Sequence, residues 1–163
     1  MAFRTLILCC GLFLATLVTV APGSACFGPK LYVGVGQGPE AEVMFALVTL
    51  YTQEKTGVES LRVDLEQQKD PLVELREERL DLTFIPSEEA IGRETLLALP
   101  EYPALVAGMR PLEELQFTTV VPAIRKLSGL LKAEDVALLV AQVKSGESAM
   151  VAVRRLFMER RWI

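Results

Sequence analysis

The stretch Lys30-Leu31-Tyr32-Val33-Gly34-Val35-Gly36, running on into Gln37-Gly38-Pro39-Glu40, decides the fold. A short apolar run rich in β-formers and closed by glycine reads as a buried strand. Gly36 to Pro39 is a turn, and Pro39 suits a first helical position, where its missing N–H is not needed. From Glu40 onward Val43, Leu47, Leu50, Tyr51 and Glu54 keep helical spacing. Glu40 and Glu42 fall in the first turn, where the helix dipole favours acids. Thr56-Gly57 ends the helix. Leu61, Val63 and Leu65 then alternate with Arg62 and Asp64 as a second strand. Asp70-Pro71 is an N-cap followed by a first-position proline. It opens a helix with Leu72, Leu75 and Arg79 on one side and Glu74, Glu77 and Glu78 on the other. Leu80, Leu82 and Phe84 form a third strand that stops at Pro86.

Strand-helix-strand-helix-strand with short connections implies right-handed crossovers and a parallel sheet in the order 2-1-3. Residues 87–118 differ in character. They hold Gly92, Pro100, Pro103 and Pro111 and no long period, apart from the run Ala104-Leu105-Val106-Ala107, so a short connection is expected there. Three helical segments follow, near 119–131, 133–144 and 148–161. The second carries Val136, Leu139, Val140 and Val143 on one face, with Glu134 and Asp135 at its start. The third is expected to turn Met150, Val151, Val153 and Phe157 inward and Arg154, Arg155, Arg160 and Arg161 outward. The fold class is therefore α/β: a small parallel sheet flanked by helices, with a helical C-terminal part, in a single domain over 26–163.

At the N-terminus, Arg4 precedes the apolar run Thr5 to Ala21 and the small residues Gly23, Ser24 and Ala25. That pattern is a secretory signal over 1–25, with cleavage after Ala25, and it places the protein in the periplasm or on the extracytoplasmic face of the membrane. Cys26 becomes the first mature residue and a candidate lipid-attachment site, the one expected link to a membrane.

Several function classes are disfavoured. Hydrophobic residues make up 51% of the 163-residue chain and charged residues 23%, which excludes a disordered tract. The formal charge of −4 argues against a nucleic-acid partner. There is no histidine, and hence no ready proton shuttle or imidazole ligand, so no enzyme, metal or cofactor is expected. The charge is uneven: residues 27–100 carry a net −7 and residues 101–163 a net +2. Solvated faces and helix-dipole compensation account for this, or a basic surface that docks on a partner or on anionic headgroups.

Cys26-Phe27-Gly28-Pro29-Lys30-Leu31-Tyr32-Val33-Gly34-Val35, the helix ending Glu54-Lys55-Thr56-Gly57, and Leu80-Asp81-Leu82 resemble the start of the substrate-binding proteins of glycine betaine, choline and carnitine ABC importers. Leu127-Ser128-Gly129-Leu130-Leu131 with Glu134-Asp135, then Gly146 and Val151 to Phe157, resemble the end of the same family. The resemblance implies a periplasmic-binding-protein fold of the second type, in which both chain ends build one lobe and a second lobe is inserted between them. With only 87–118 in place of the insert, it implies a one-lobed, truncated relative. Where the family carries a tyrosine-bearing segment after the third strand, Phe84-Ile85-Pro86-Ser87 stands here.

In open parallel sheets ligands settle at the carboxyl ends of the strands, near the switch point. That places Gly36, Gln37, Gly38 and Glu40 after the first strand and Ser87 and Glu88 after the third, with Gln37, Gly38, Glu40 and Ser87 as the candidate ligand-binding residues. Backbone amides at the first helix start could hold an anion, although glycines at 34, 36 and 38 lack the phosphate-binding spacing. Among the aromatic residues, Tyr102 and Trp162 sit outside the core pattern. The acidic pairs Glu77-Glu78, Glu88-Glu89 and Glu113-Glu114 read as solvated surface. The expectation is a non-enzymatic, solute-binding-type protein of an ABC importer, whose ligand is a small quaternary ammonium or zwitterionic solute or has been lost. The alternative is an interaction module that reuses a single lobe, with itself or a permease as partner.

Overall fold

A computed structural model describes residues 28–65 and 69–163. The expected signal segment 1–25 and Cys26 lie outside the described residues. The strands are β1 (Lys30–Val35), β2 (Glu59–Asp64), β3 (Leu82–Ile85), β4 (Thr95–Leu97) and β5 (Ala104–Ala107). The helices are α1 (Pro39–Thr56), α2 (Pro71–Arg76), α3 (Met109–Glu113), α4 (Val120–Leu130), α5 (Ala133–Lys144) and α6 (Ala149–Glu159), with a 3-10 turn at Leu115–Phe117.

The five strands form one sheet in the order β2-β1-β3-β5-β4. β1 pairs in parallel with β2 and β3, whereas β5 is antiparallel to both β3 and β4. The sheet is therefore mixed, a correction to the purely parallel expectation. Residues 87–118 are likewise more than a connection, since they supply β4, β5 and α3. The reason is physical. Without β5 the edge of β3 would be open, and the span between them holds β4 and turns in place of the crossover helix that a parallel pairing uses.

Side chains alternate across the sheet, as strand geometry demands. Leu31, Val33, Val35, Leu82 and Leu105 face one way, into the main core with α1, α4, α5 and α6. Ile85, Ala104 and Val106 face the other, into a smaller core with Leu75, Leu80 and Ala90. Leu80 lies before β3 instead of within it and serves this second core, so the third strand begins two residues later than its alternation suggested. Gly34 sits where β1 needs no side chain: a Cβ there would stand 2.6 Å from Leu80 Cδ1 and 2.8 Å from Thr83 Oγ1.

α1 is buried nearly all round. Val43, Met44, Leu47, Val48, Leu50 and Tyr51 are all at most 2% exposed, so no single stripe faces the sheet. The sheet covers one side, and α4, α5 and α6 cover the rest. Tyr51 meets Phe157 of α6 edge-on at 5.7 Å, and Trp162 packs on Phe157 at 5.7 Å. α6 turns Ala149, Ala152, Val153, Leu156 and Phe157 inward. Met150 and Val151 point outward, contrary to the expected face. In the first turn of α5 the Asp135 carboxylate is buried and accepts from the Lys132 N–H at 3.2 Å and from Arg160 at 2.8 Å.

Asp81 fastens the sheet to α3. Its side chain is fully buried, accepts from the Tyr32 N–H at 2.7 Å and pairs with Arg110 at 2.9 Å. Its own N–H donates to Tyr32 O and its carbonyl accepts from Gly108 N–H, both at 2.8 Å, so one residue extends the β1–β3 ladder and anchors α3. Arg110 also lies over the Phe117 ring at 5.5 Å and reaches Glu114. Burial raises the Asp81 pKa above its ordinary 3.8, against the opposing pull of the Tyr32 N–H and Arg110. The native state then holds this proton more tightly than the unfolded chain, so the contribution of Asp81 to stability falls as pH rises through its folded pKa. Asp81→Ala, which leaves the Tyr32 N–H without a partner, is expected to cost about 2–3 kcal/mol in denaturant unfolding. Wild type minus Asp81→Asn should show a stability difference that shrinks as pH rises from 3.8 and then levels off. A difference that grows with pH would contradict this assignment.

Candidate functional site

The carboxyl ends of β1 and β3 and the start of antiparallel β5 lie along one edge of the sheet. Three chain segments converge there. The turn after β1 passes through Gly38, whose φ of 101° is a conformation open essentially to glycine, and delivers Pro39 and Glu40 as the first turn of α1. The exit from β3 brings Phe84, Pro86, Ser87 and Glu88. The β4–β5 loop brings Glu101, Tyr102 and Pro103.

These segments enclose two adjoining hollows. The larger, about 480 Å³, is lined by Glu40, Phe84, Ile85, Pro86, Ser87, Glu88, Glu101, Tyr102 and Pro103. The smaller, about 320 Å³, is lined by Gly36, Gln37, Glu40, Ala41, Met44, Phe84 and Pro103. Glu40, Phe84 and Pro103 belong to both and form the shared wall. Of the residues nominated from sequence, Gln37 and Ser87 thus lie in different hollows and Glu40 in both. Gly38 shapes the turn without lining either.

Ser87 has a structural use: its Oγ donates to the Tyr102 carbonyl at 3.0 Å and ties the β3 exit to the β4–β5 loop. Tyr102 is half-buried, and its phenol pKa is raised above 10, first by burial and then by the charges of Glu40 and Glu101. No lysine or arginine lines either hollow. Among the described residues, Glu40, Glu88 and Glu101 take part in no ion pair. Three carboxylates therefore face a concave, partly aromatic surface with no cation to balance them. The edge is electronegative, and this offsets the pull that the α1 N-terminus would exert on an anion.

No protein-family model, curated protein or solved structure matches the chain. The site is therefore described by its chemistry alone. Among the described residues no cluster of acidic or thiol side chains is arranged to hold a metal ion, and no helix is long and apolar enough to cross a membrane. Glu101 and Pro103 are absent from the sequence-based candidates because their segment carries no helical or strand period, whereas Gly36 and Glu88, both nominated, line the smaller and the larger hollow. The available signal was Glu101-Tyr102-Pro103 placed immediately before the apolar run 104–107. If the two glutamates hold Tyr102 in its raised state, Glu40→Gln with Glu101→Gln should lower its titration midpoint, followed by carbon-13 resonance of the ring. Burial persists in the double variant, so the midpoint should stay above 10. An unmoved midpoint would show that the three groups do not share a field.

Proposed function

We propose that the chain is a non-enzymatic, extracytoplasmic solute-binding-type protein that serves an ABC importer. It uses one lobe of the two-lobed binding-protein plan and holds a small quaternary ammonium or related zwitterionic solute at the carboxyl edge of its sheet. The observation that carries the reading is the meeting of Glu40, Glu88 and Glu101 with the rings of Tyr102 and Phe84 in one concave surface. Aromatic faces attract cations through their quadrupoles, and nearby carboxylates add long-range attraction. The secretory pattern at the N-terminus and the resemblance of both chain ends to the importer-associated family support the extracytoplasmic setting. The packing of β1 and α6 into one core with α1 supports the single-lobe reading, because both chain ends contribute to one body.

A lone lobe offers half of a closing site, so affinity is modest, on the order of 1 mM or about −4 kcal/mol. The charge balance also ranks ligands. Choline, a plain cation, binds more tightly than glycine betaine, whose own carboxylate meets the three glutamates. Titrating choline into labelled protein should perturb the amides of Glu40, Ser87 and Tyr102. Tyr102→Ala should weaken the response about tenfold, within the range of one cation–aromatic contact and its lost burial. Acetate should perturb none of these amides. Equal responses to acetate and choline, or none to choline, would overturn the proposal.

A further inference from the structure

We infer that the edge of the sheet where β1 begins, opposite the candidate site, is a lipid-facing surface on which Met109, Leu112 and Leu115 rest against a bilayer. The Asp81 N–H donates to Tyr32 O, two residues into β1, and the Gly108 N–H donates to Asp81 O. α3 and the 3-10 turn, which follow Gly108, therefore lie along the edge at which the chain enters the sheet. Met109, Leu112 and Leu115 recur there every third residue and are 54, 39 and 87% exposed. Pro111 and Phe117 of the same segment are buried, so one side packs on the body while the other is apolar and open. Three large apolar side chains within seven residues differ from the single scattered ones that any surface carries. The segment is also fixed in place, by the Asp81–Arg110 pair and by Arg110 over the Phe117 ring.

The chain that precedes β1 specifies the occupant. Cys26, the candidate lipid-attachment residue, is four residues from Lys30, a reach of at most about 14 Å. Ala21, at the end of the apolar run Thr5 to Ala21, is nine residues away, at most about 32 Å. A lipid on Cys26 and a retained apolar run thus have the same consequence: a bilayer is tied to the edge where β1 begins. The candidate site lies at the far end of the strands, about 20 Å further along β1, and opens away from the lipid. Tyr32 adds an aromatic ring, 39% exposed, of the kind that favours membrane–water boundaries.

The contact is apolar. Lys30 pairs with Glu59, and Arg110 pairs with Asp81 and Glu114, so these cations are already engaged within the chain. Glu113 is exposed on the same segment and disfavours an anionic surface. Three side chains hold a membrane weakly by themselves, but a short tether keeps them at high effective concentration beside it.

The full chain, expressed with its own N-terminus and reconstituted into phosphatidylcholine vesicles, tests the inference. Brominated acyl chains quench indole that reaches the lipid boundary, and wild type, with Trp162 alone, sets the baseline. The tryptophan added by Leu115→Trp should be quenched well beyond that baseline. Glu89→Trp, at an exposed position in the turn after β3, should show no added loss. Met109→Glu with Leu112→Glu, placed in the Leu115→Trp chain, should lower the quenched fraction about tenfold or more, because two large apolar contacts become charges. Raising the salt should leave the quenching unchanged. A chain that stays off the vesicles, equal quenching at the two positions, or quenching that survives the two glutamates or falls with salt would overturn the inference. An added tryptophan at position 115 already shielded in a lipid-free dimer would assign the face to a second copy and overturn it equally.

Discussion

Helix α1 is apolar on every side, and that constrains the whole molecule. Val43, Met44, Ala46, Leu47, Val48, Leu50 and Tyr51 point in all directions around the axis, and each is buried. A sheet can cover only one face of a helix, so the opening β-α-β unit cannot bury α1 by itself. The C-terminal helices α4, α5 and α6 close over the remaining sides, and Phe157 and Val153 complete the core that Leu31 and Val33 begin. At roughly 1.5–3 kcal/mol for each large apolar side chain removed from water, leaving one side of α1 uncovered would cost more than a domain of this size has to spare. The two chain ends are therefore bound into one body by the composition of a single helix.

Charge follows the same logic. The acidic N-terminal half and the basic C-terminal half meet in specific pairs: Asp81 with Arg110, Glu54 with Arg154, and Glu94 with Arg125. Part of the asymmetry is thus consumed inside the molecule. Among the acids that take part in no ion pair, Glu40, Glu88 and Glu101 meet where the sheet ends, and that uncompensated charge gives the candidate site its character. The same edge is where α1 begins, so the helix that organises the core also sets the geometry of the hollow.

Much of this was legible from residue spacing. The run 30–36, the proline at 39 and the Asp70-Pro71 pair announce their elements, because each combines a period with a local stop or start signal. Asp70 caps α2 by accepting from the Leu72 N–H at 2.8 Å. Three things were hidden. β4 and β5 are only three and four residues long, too short to show alternation, and their pairing is decided by the open edge of β3. The face of α6 was misjudged because Met150 and Val151 are as apolar as the buried Val153 and Leu156, and composition alone cannot separate a core face from an exposed apolar one. Half of the site depends on a loop whose position follows from that unreadable pairing. Glu40, Ser87 and Glu88 are nominated by topology and Tyr102 by its place outside the core pattern, whereas Glu101 is not. The all-round apolar character of 43–52 was in plain view, and it announces a helix that needs cover from distant sequence.

Native-state hydrogen exchange, followed residue by residue at increasing denaturant, tests the dependence of the body on α1 most directly. The account predicts that amides of β1, the middle of α1 and α6 share one opening free energy, equal to that of global unfolding. Exchange of α6 through a markedly cheaper opening, with the centre of α1 still fully protected, would contradict it.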